Sequence, residues 1–161
     1  MQGEERREMA EGGATGVGEL EGMLENLRAL SGEVTTAAVL SEDGELRAST
    51  LPPGVDRERY AAMLAALAGI ARRTARENGG SGFGQARVRA EEGHILLVGL
   101  EGGGTLAATT GPDARVGLVL YDMRNARREV ERVLGSGSGE DADDDSGTGD
   151  FGTGGPGERK Q

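Results

Sequence analysis

Residues 100–111 read LEGGGTLAATTG, with Gly102, Gly104 and Ala107 at the spacing of a G-x-G-x-x-A turn. In a dinucleotide-binding turn such glycines let the backbone approach a pyrophosphate, which rests on the N-terminus of the helix that follows. An apolar run at residues 94–100 precedes the glycines, and Asp122 lies twenty positions after Gly102, where a ribose-binding acid would stand. The required helix has no room. Six residues, TLAATT, separate Gly104 from Gly111-Pro112, and three of them are threonines. A crossover helix needs a longer connection. The triple glycine is therefore expected to bend a hairpin between two strands, and Asp122 to fall within a later helix.

Other chemistry fails for similar reasons. Asp141, Asp143 and Asp145 match the first three ligand positions of a calcium loop, but its sixth position is Ser146 and its twelfth is Gly152. The loop needs Gly for the turn and a bidentate Glu at those places, so the run reads as a solvated acidic tail. His94 is the sole histidine, cysteine is absent, and no G-x-S-x-G nucleophile is present. Arg72-Arg73 and the run RNARREVER are cationic, yet Glu129 and Glu131 interleave the latter as on a solvated helix face. Glu91-Glu92 sit beside a turn glycine. No catalytic residue, cofactor-binding residue or metal ligand is assigned, and the chain is read as not an enzyme.

Charge narrows the partners. The 161 residues carry a formal net charge of −10, most of it at the two ends. Residues 18–134 are close to neutral, which leaves no basic excess for phosphate-driven nucleic-acid binding. No apolar run approaches the roughly 20 residues that span a bilayer, and residues 1–13 are charged without a signal-peptide apolar core. A cytoplasmic protein without membrane insertion is expected. One Lys stands against seventeen Arg, a bias that fits a GC-rich or salt-loving source.

Periodicity then supplies the elements. Leu20, Met23, Leu24, Leu27 and Leu30 trace one face of a first helix ending near Ser31-Gly32. VTTAAVL and ELRAST flank a tight Asp43-Gly44 turn and form strands one and two. Asp56 caps a second helix that ends at Asn78 and Gly79. Its apolar stripe is read as Tyr60, Met63, Leu64, Leu67, Ile70 or Ala71, and Thr74. Ala62, Ala66 and Gly69 make a second, small-residue stripe that admits a neighbouring backbone, although alanine is also simply the best helix former. QARVRAE alternates as a half-buried strand three, HILLVGL is apolar on both faces as strand four, and TLAATT is strand five. A third helix follows, with Val116, Val119 or Leu120, Met123, Ala126, Val130 and Val133 or Leu134 inward. Short links within each run of strands require antiparallel neighbours. The fold class is α+β: a five-stranded antiparallel sheet flanked by helices, in the order α-β-β-α-β-β-β-α. Residues 18–134 form the domain. Residues 1–17 and 135–161 are expected to be disordered tails, the first acidic and the second rich in Gly and Asp, because neither carries enough apolar surface to offset ordering entropy.

Residues 20–134 resemble the Roadblock/dynein light chain family. The resemblance rests on LEGMLENLRAL, AAVLSEDGELRAST, YAAMLAALAGIARRTA, QARVRAEEGHILLVGLEGGGTLAATT and the helix opening ARVGLVLYDMR. It implies a profilin-like sheet with helix two on one face and helices one and three on the other. It also implies a homodimer that pairs strand three and helix two with their twins, and regulation or scaffolding of a Ras-like small GTPase, as in bacterial and archaeal members. Within such a dimer Ala62, Ala66 and Gly69 would bring the two copies of helix two close, and Arg87 and Arg89 would stand opposite Glu91 of the other copy. A small-molecule-sensing domain of the PAS or profilin type, and an adaptor without a GTPase partner, are the alternatives.

Overall fold

The computed structural model describes the backbone of residues 2–138 and the side chains of residues 16–136. The elements follow the expected order: α1 (Gln2–Ser31), β1 (Val34–Leu40), β2 (Leu46–Ser49), α2 (Arg57–Glu77), β3 (Gln85–Ala90), β4 (Gly93–Gly99), β5 (Thr105–Thr110) and α3 (Val116–Ser138). The five strands form one antiparallel sheet in the order β2-β1-β5-β4-β3. The long connection through α2 carries the chain from one edge strand, β2, to the other, β3.

Side-chain alternation splits the core between the two sheet faces. One face buries Ala37, Val39, Leu96, Val98, Leu106 and Ala108 against Leu20, Leu24 and Leu27 of α1 and Val116, Val119, Met123 and Val130 of α3. The other buries Ala38, Leu40, Leu97 and Ala107 against Leu64 and Ala68 of α2. At the middle of the sheet alanine faces alanine across β1 and β5, Ala37 opposite Ala108 and Ala38 opposite Ala107. That small-residue seam lets helices approach both faces closely, which a chain with only four aromatics needs in order to fill its core.

The helix ends follow local rules. The Asp56 carboxylate accepts from the Arg59 amide at 3.1 Å, a cap worth about 1 kcal/mol. Asn78 closes α2, and Gly79 beyond it has a φ of 89°. The inner stripe of α3 is as read from the sequence. Two readings are corrected. The stripe assigned to helix two is rotated: Ala61, Leu64 and Ala68 are buried, whereas Met63 and Ile70 are 60% and 65% exposed. Leu30, counted in the face of helix one, is exposed. The helical backbone of α1 begins at Gln2, well before the first buried leucine, and α3 continues four residues past Leu134 to Ser138. No proline interrupts residues 1–31, and Glu, Arg, Met and Ala there are good helix formers. The calcium-like aspartates lie outside the described residues.

The β3–β4 turn imposes a tight approach. A Cβ built on Gly93 would lie 1.8 Å from the Thr110 carbonyl oxygen, a backbone atom that cannot move aside. Gly93→Ala is expected to cost at least about 3 kcal/mol in urea unfolding, because the β3–β4–β5 pairing must open to admit the methyl. Gly102→Ala, with open space around its Cβ, should cost only about 1–2 kcal/mol for its positive φ.

Candidate interaction surface

The triple glycine is a hairpin. The Leu100 amide donates to the Gly104 carbonyl at 2.9 Å, and the Gly103 amide donates to the Leu100 carbonyl at 3.1 Å. Gly102 and Gly103 have φ values of 90° and 101°, which tighten the link between β4 and β5. Ala107 is buried mid-strand, and Asp122 lies in α3. The Arg72 guanidinium donates to the Gly103 carbonyl, so α2 holds the bend from one side. No helix rises from this turn. The geometry that a pyrophosphate needs is not there.

His94 is not an ordinary strand-end side chain. It is 5% exposed at the head of β4, facing the α1/α3 layer beside Thr110, and its Nδ1 has no hydrogen-bond partner. A buried donor or acceptor without a partner costs stability. Among the described residues, no group of three His, Cys, Asp or Glu side chains could hold a metal ion.

The assigned contact residues fall in two adjoining places. Ala62 and Ala66 are exposed and Gly69 is half-buried on the outer side of α2. A Cβ added to Gly69 would meet nothing within 4 Å, so packing inside one chain does not require a glycine there. Met63 and Ile70 share this outer face, which makes it apolar as well as small. Sequence reading placed them inward. The signal that could have placed them correctly is the Ala61, Leu64, Ala65, Ala68 arc, whose 3.6-residue spacing leaves Met63 and Ile70 on the opposite side.

Arg87 and Arg89 lie on β3, and Glu91 lies in the turn just after it; all three are exposed. Among the described residues β3 pairs with β4 alone, which leaves its other edge open. It carries Val88 on the α2 face at 36% exposure. Only Ala86 and Phe83 of this segment pack against the α2 core, and both are half-buried. The expected half-buried strand is thus mostly exposed.

A separate open pocket of about 480 Å³ lies at the end of the sheet bearing the two hairpin turns. Its walls include Glu42, Asp43, Arg47 and Glu101, over a floor of Leu20 and Val133. Glu131 is fixed beside it by the Glu101 amide at 2.8 Å and by Arg127 at 2.6 Å. Burial pushes the Glu131 carboxyl up, but those donors and Arg128 outweigh it and hold the group below its ordinary value of 4.5. At the opposite end, Arg115 bonds Glu33 through its side chain and its backbone amide, both at 2.9 Å, and also lowers that carboxyl. This pair ties the start of α3 to the loop after α1.

Family comparison rests on this architecture. The model of the Roadblock/LC7 domain matches residues 20–110. The chain belongs to the Roadblock/LC7 family. It is 36% identical over 101 residues to protein MJ0714 of Methanocaldococcus jannaschii, covering 63% of this chain and 85% of that one. The Roadblock/LC7 domain from Streptomyces avermitilis is 29% identical, with a TM-score of 0.54 over 68% of this chain and 96% of that chain. Myxococcus xanthus MglB superposes with a TM-score of 0.66 at 14% identity, over 73% and 96% of the two chains; that likeness is one of fold. No described helix is long and apolar enough to cross a membrane.

The two lowered carboxyls set a pH dependence for the Roadblock domain. Each is depressed in the folded state, so its stabilisation is complete above about pH 4.5 and is lost as pH falls through the lower folded value. Glu131→Gln should therefore flatten the decline in urea midpoint between pH 5 and pH 3. Parallel curves for variant and wild type would show that Glu131 contributes nothing to acid lability.

Proposed function

We propose that this chain is a non-enzymatic regulatory or scaffold protein that forms a homodimer and binds a Ras-like small GTPase in the cytoplasm. The observation that carries the reading is an unpaired β3 edge beside an exposed apolar face of α2, in a Roadblock/LC7 domain. An open edge strand invites pairing with another chain, and a second copy of β3 removes the hazard. The same pairing brings two α2 helices together, where Ala62, Ala66 and Gly69 permit close approach and Met63 and Ile70 supply apolar area.

Register limits what the charged residues do. In an antiparallel self-pair about Arg89, Arg87 meets the partner copy's Glu91, but Arg89 meets its own twin. About Ala90, Arg89 meets Glu91 and Arg87 has no acid opposite. Each register satisfies one arginine, at roughly 0.2–1 kcal/mol per pair, so the apolar α2 contact has to supply most of the association energy. Family membership supports the GTPase as partner, and the resulting continuous sheet flanked by paired helices offers the broad surface such a partner needs.

Light scattering after size-exclusion chromatography should give a dimer at micromolar concentration. Ile70→Asp combined with Ala66→Arg should give a monomer with unchanged helix content, since both side chains are solvent-facing within one chain. A Ras-like GTPase of the same source should co-purify with the dimer and change its rate of GTP turnover. A wild-type monomer together with unaltered turnover and no co-purification would sink the reading.

A further inference from the structure

The open edge of β3 has a fixed parity. The Gly99 amide donates to the Gly84 carbonyl at 3.0 Å, which makes Gly84 and Gly99 a hydrogen-bonded pair at the start of the β3–β4 ladder. Hydrogen-bonded and non-hydrogen-bonded pairs alternate along antiparallel strands. The register continues without a bulge from Gln85 opposite Val98 to Ala90 opposite Gly93. Ala86, Val88 and Ala90 therefore direct their amides and carbonyls into β4, and Gln85, Arg87 and Arg89 direct theirs to the open edge. Gly84 precedes the strand and Glu91 lies in the turn after it. Within β3, those three residues are the whole hydrogen-bonding face that a second strand would meet.

We propose that the two-fold axis of the homodimer passes at Arg87, which makes this residue the determinant of its affinity. The inference rests on the dimer reading and specifies its contact. With the axis there, antiparallel self-pairing sets Arg87 opposite its twin and Gln85 opposite the second copy's Arg89. Every outward residue of β3 then meets another outward residue, each pair exchanges both N–H···O bonds, and no backbone group of the edge stays unpaired. Other axes pair less. At Ala86, Arg89 faces Phe83, ahead of the strand. At Val88, Gln85 faces the turn residue Glu91, and Arg87 opposes the second copy's Arg89 in both directions. At Arg89 and Ala90, Gln85 runs past the turn. The Arg89 axis sets Arg87 against Glu91, but an exposed ion pair is worth no more than a backbone hydrogen bond, and this axis forfeits more bonds than it gains pairs. On the α2 side, the Arg87 axis sets Ala86 opposite Val88 in both directions, an apolar match. It carries one like-charge contact, between two exposed Arg87 side chains. Backbone pairing holds the register, and that central repulsion limits its strength.

The chain has no cysteine, so single-cysteine variants report the axis. Even-numbered residues of β3 form non-hydrogen-bonded pairs across the new edge, with Cα atoms about 4.5 Å apart, within reach of a disulfide. After subunit exchange, an equimolar mixture of Ala86→Cys and Val88→Cys chains should oxidise to the mixed disulfide dimer about fivefold faster than either chain links to itself. Val88→Cys linking to itself would put the axis at Val88, and Val88→Cys linking to Ala90→Cys would put it at Arg89. Either result overturns the proposal and leaves the dimer standing. Sedimentation equilibrium gives a second readout. Arg87→Gln removes the central like charge and should tighten the dimer about 1.5- to 5-fold, whereas Arg89→Gln should change it less than about 1.5-fold. Tightening by Arg89→Gln with loosening by Arg87→Gln would overturn the proposal in favour of the Arg89 axis. A dimer that forms none of these disulfides overturns the proposal alone, and a monomeric wild type overturns it together with the dimer reading.

Discussion

A helix about 10 Å wide cannot cover five strands. Neighbouring strands lie roughly 4.8 Å apart, so the sheet is about 19 Å across between its edge strands. α1 and α3 lie side by side on one face and suffice: Leu96, Val98 and Leu106 there are completely buried. On the other face α2 works alone. It covers β1, β5 and the near side of β4 through Ala38, Ala107 and Leu97, and of β3 only Ala86 packs against this cluster. Val88 and the outer side of α2 remain apolar and exposed as a direct result. The incomplete layer leaves this face open, and the same shortfall leaves β3 as an edge.

The small core follows from the same geometry. With so few aromatics, volume must be filled by bringing elements closer together. Ala37, Ala38, Ala107 and Ala108 create a flat central seam across β1 and β5. Glycine replaces side chains where backbones nearly touch: a Cβ at Gly99 would lie 2.1 Å from the Phe83 carbonyl oxygen, and one at Gly104 would lie 2.7 Å from that of Leu40. The glycines that imitate a nucleotide-binding turn are thus requirements of close packing and of a tight reversal. Their spacing is incidental to any ligand.

Much of this was legible in the sequence because each strand and helix announces itself through local periodicity. The hairpin at Gly102, the cap at Asp56 and the inner stripe of α3 depend on residues within one or two turns of each other, and all three stand as read. What was not legible depends on neighbours distant in the chain. Met63 and Ile70 fit an amphipathic stripe as well as Ala61 and Ala68 do, and hydrophobicity alone favours the larger pair. In the structure Ala61, Leu64 and Ala68 face the sheet and the larger pair faces out. The burial of His94 was missed for a related reason. Its position at a strand head suggests exposure, but β5 and α3 close over it.

Charge placement distinguishes the two faces of the β3 edge. The α2 side is apolar and small. The α3 side carries guanidiniums held apart by the four-residue repeat of the helix and the two-residue repeat of the strand. Glu33–Arg115 ties the start of α3 to the loop after α1, and Glu131, which accepts from the Glu101 amide and pairs with Arg127, ties its later turns to the β4–β5 bend. Apolar side chains and guanidiniums thus lie on opposite faces of one strand, Val88 toward α2 and Arg87 and Arg89 toward α3.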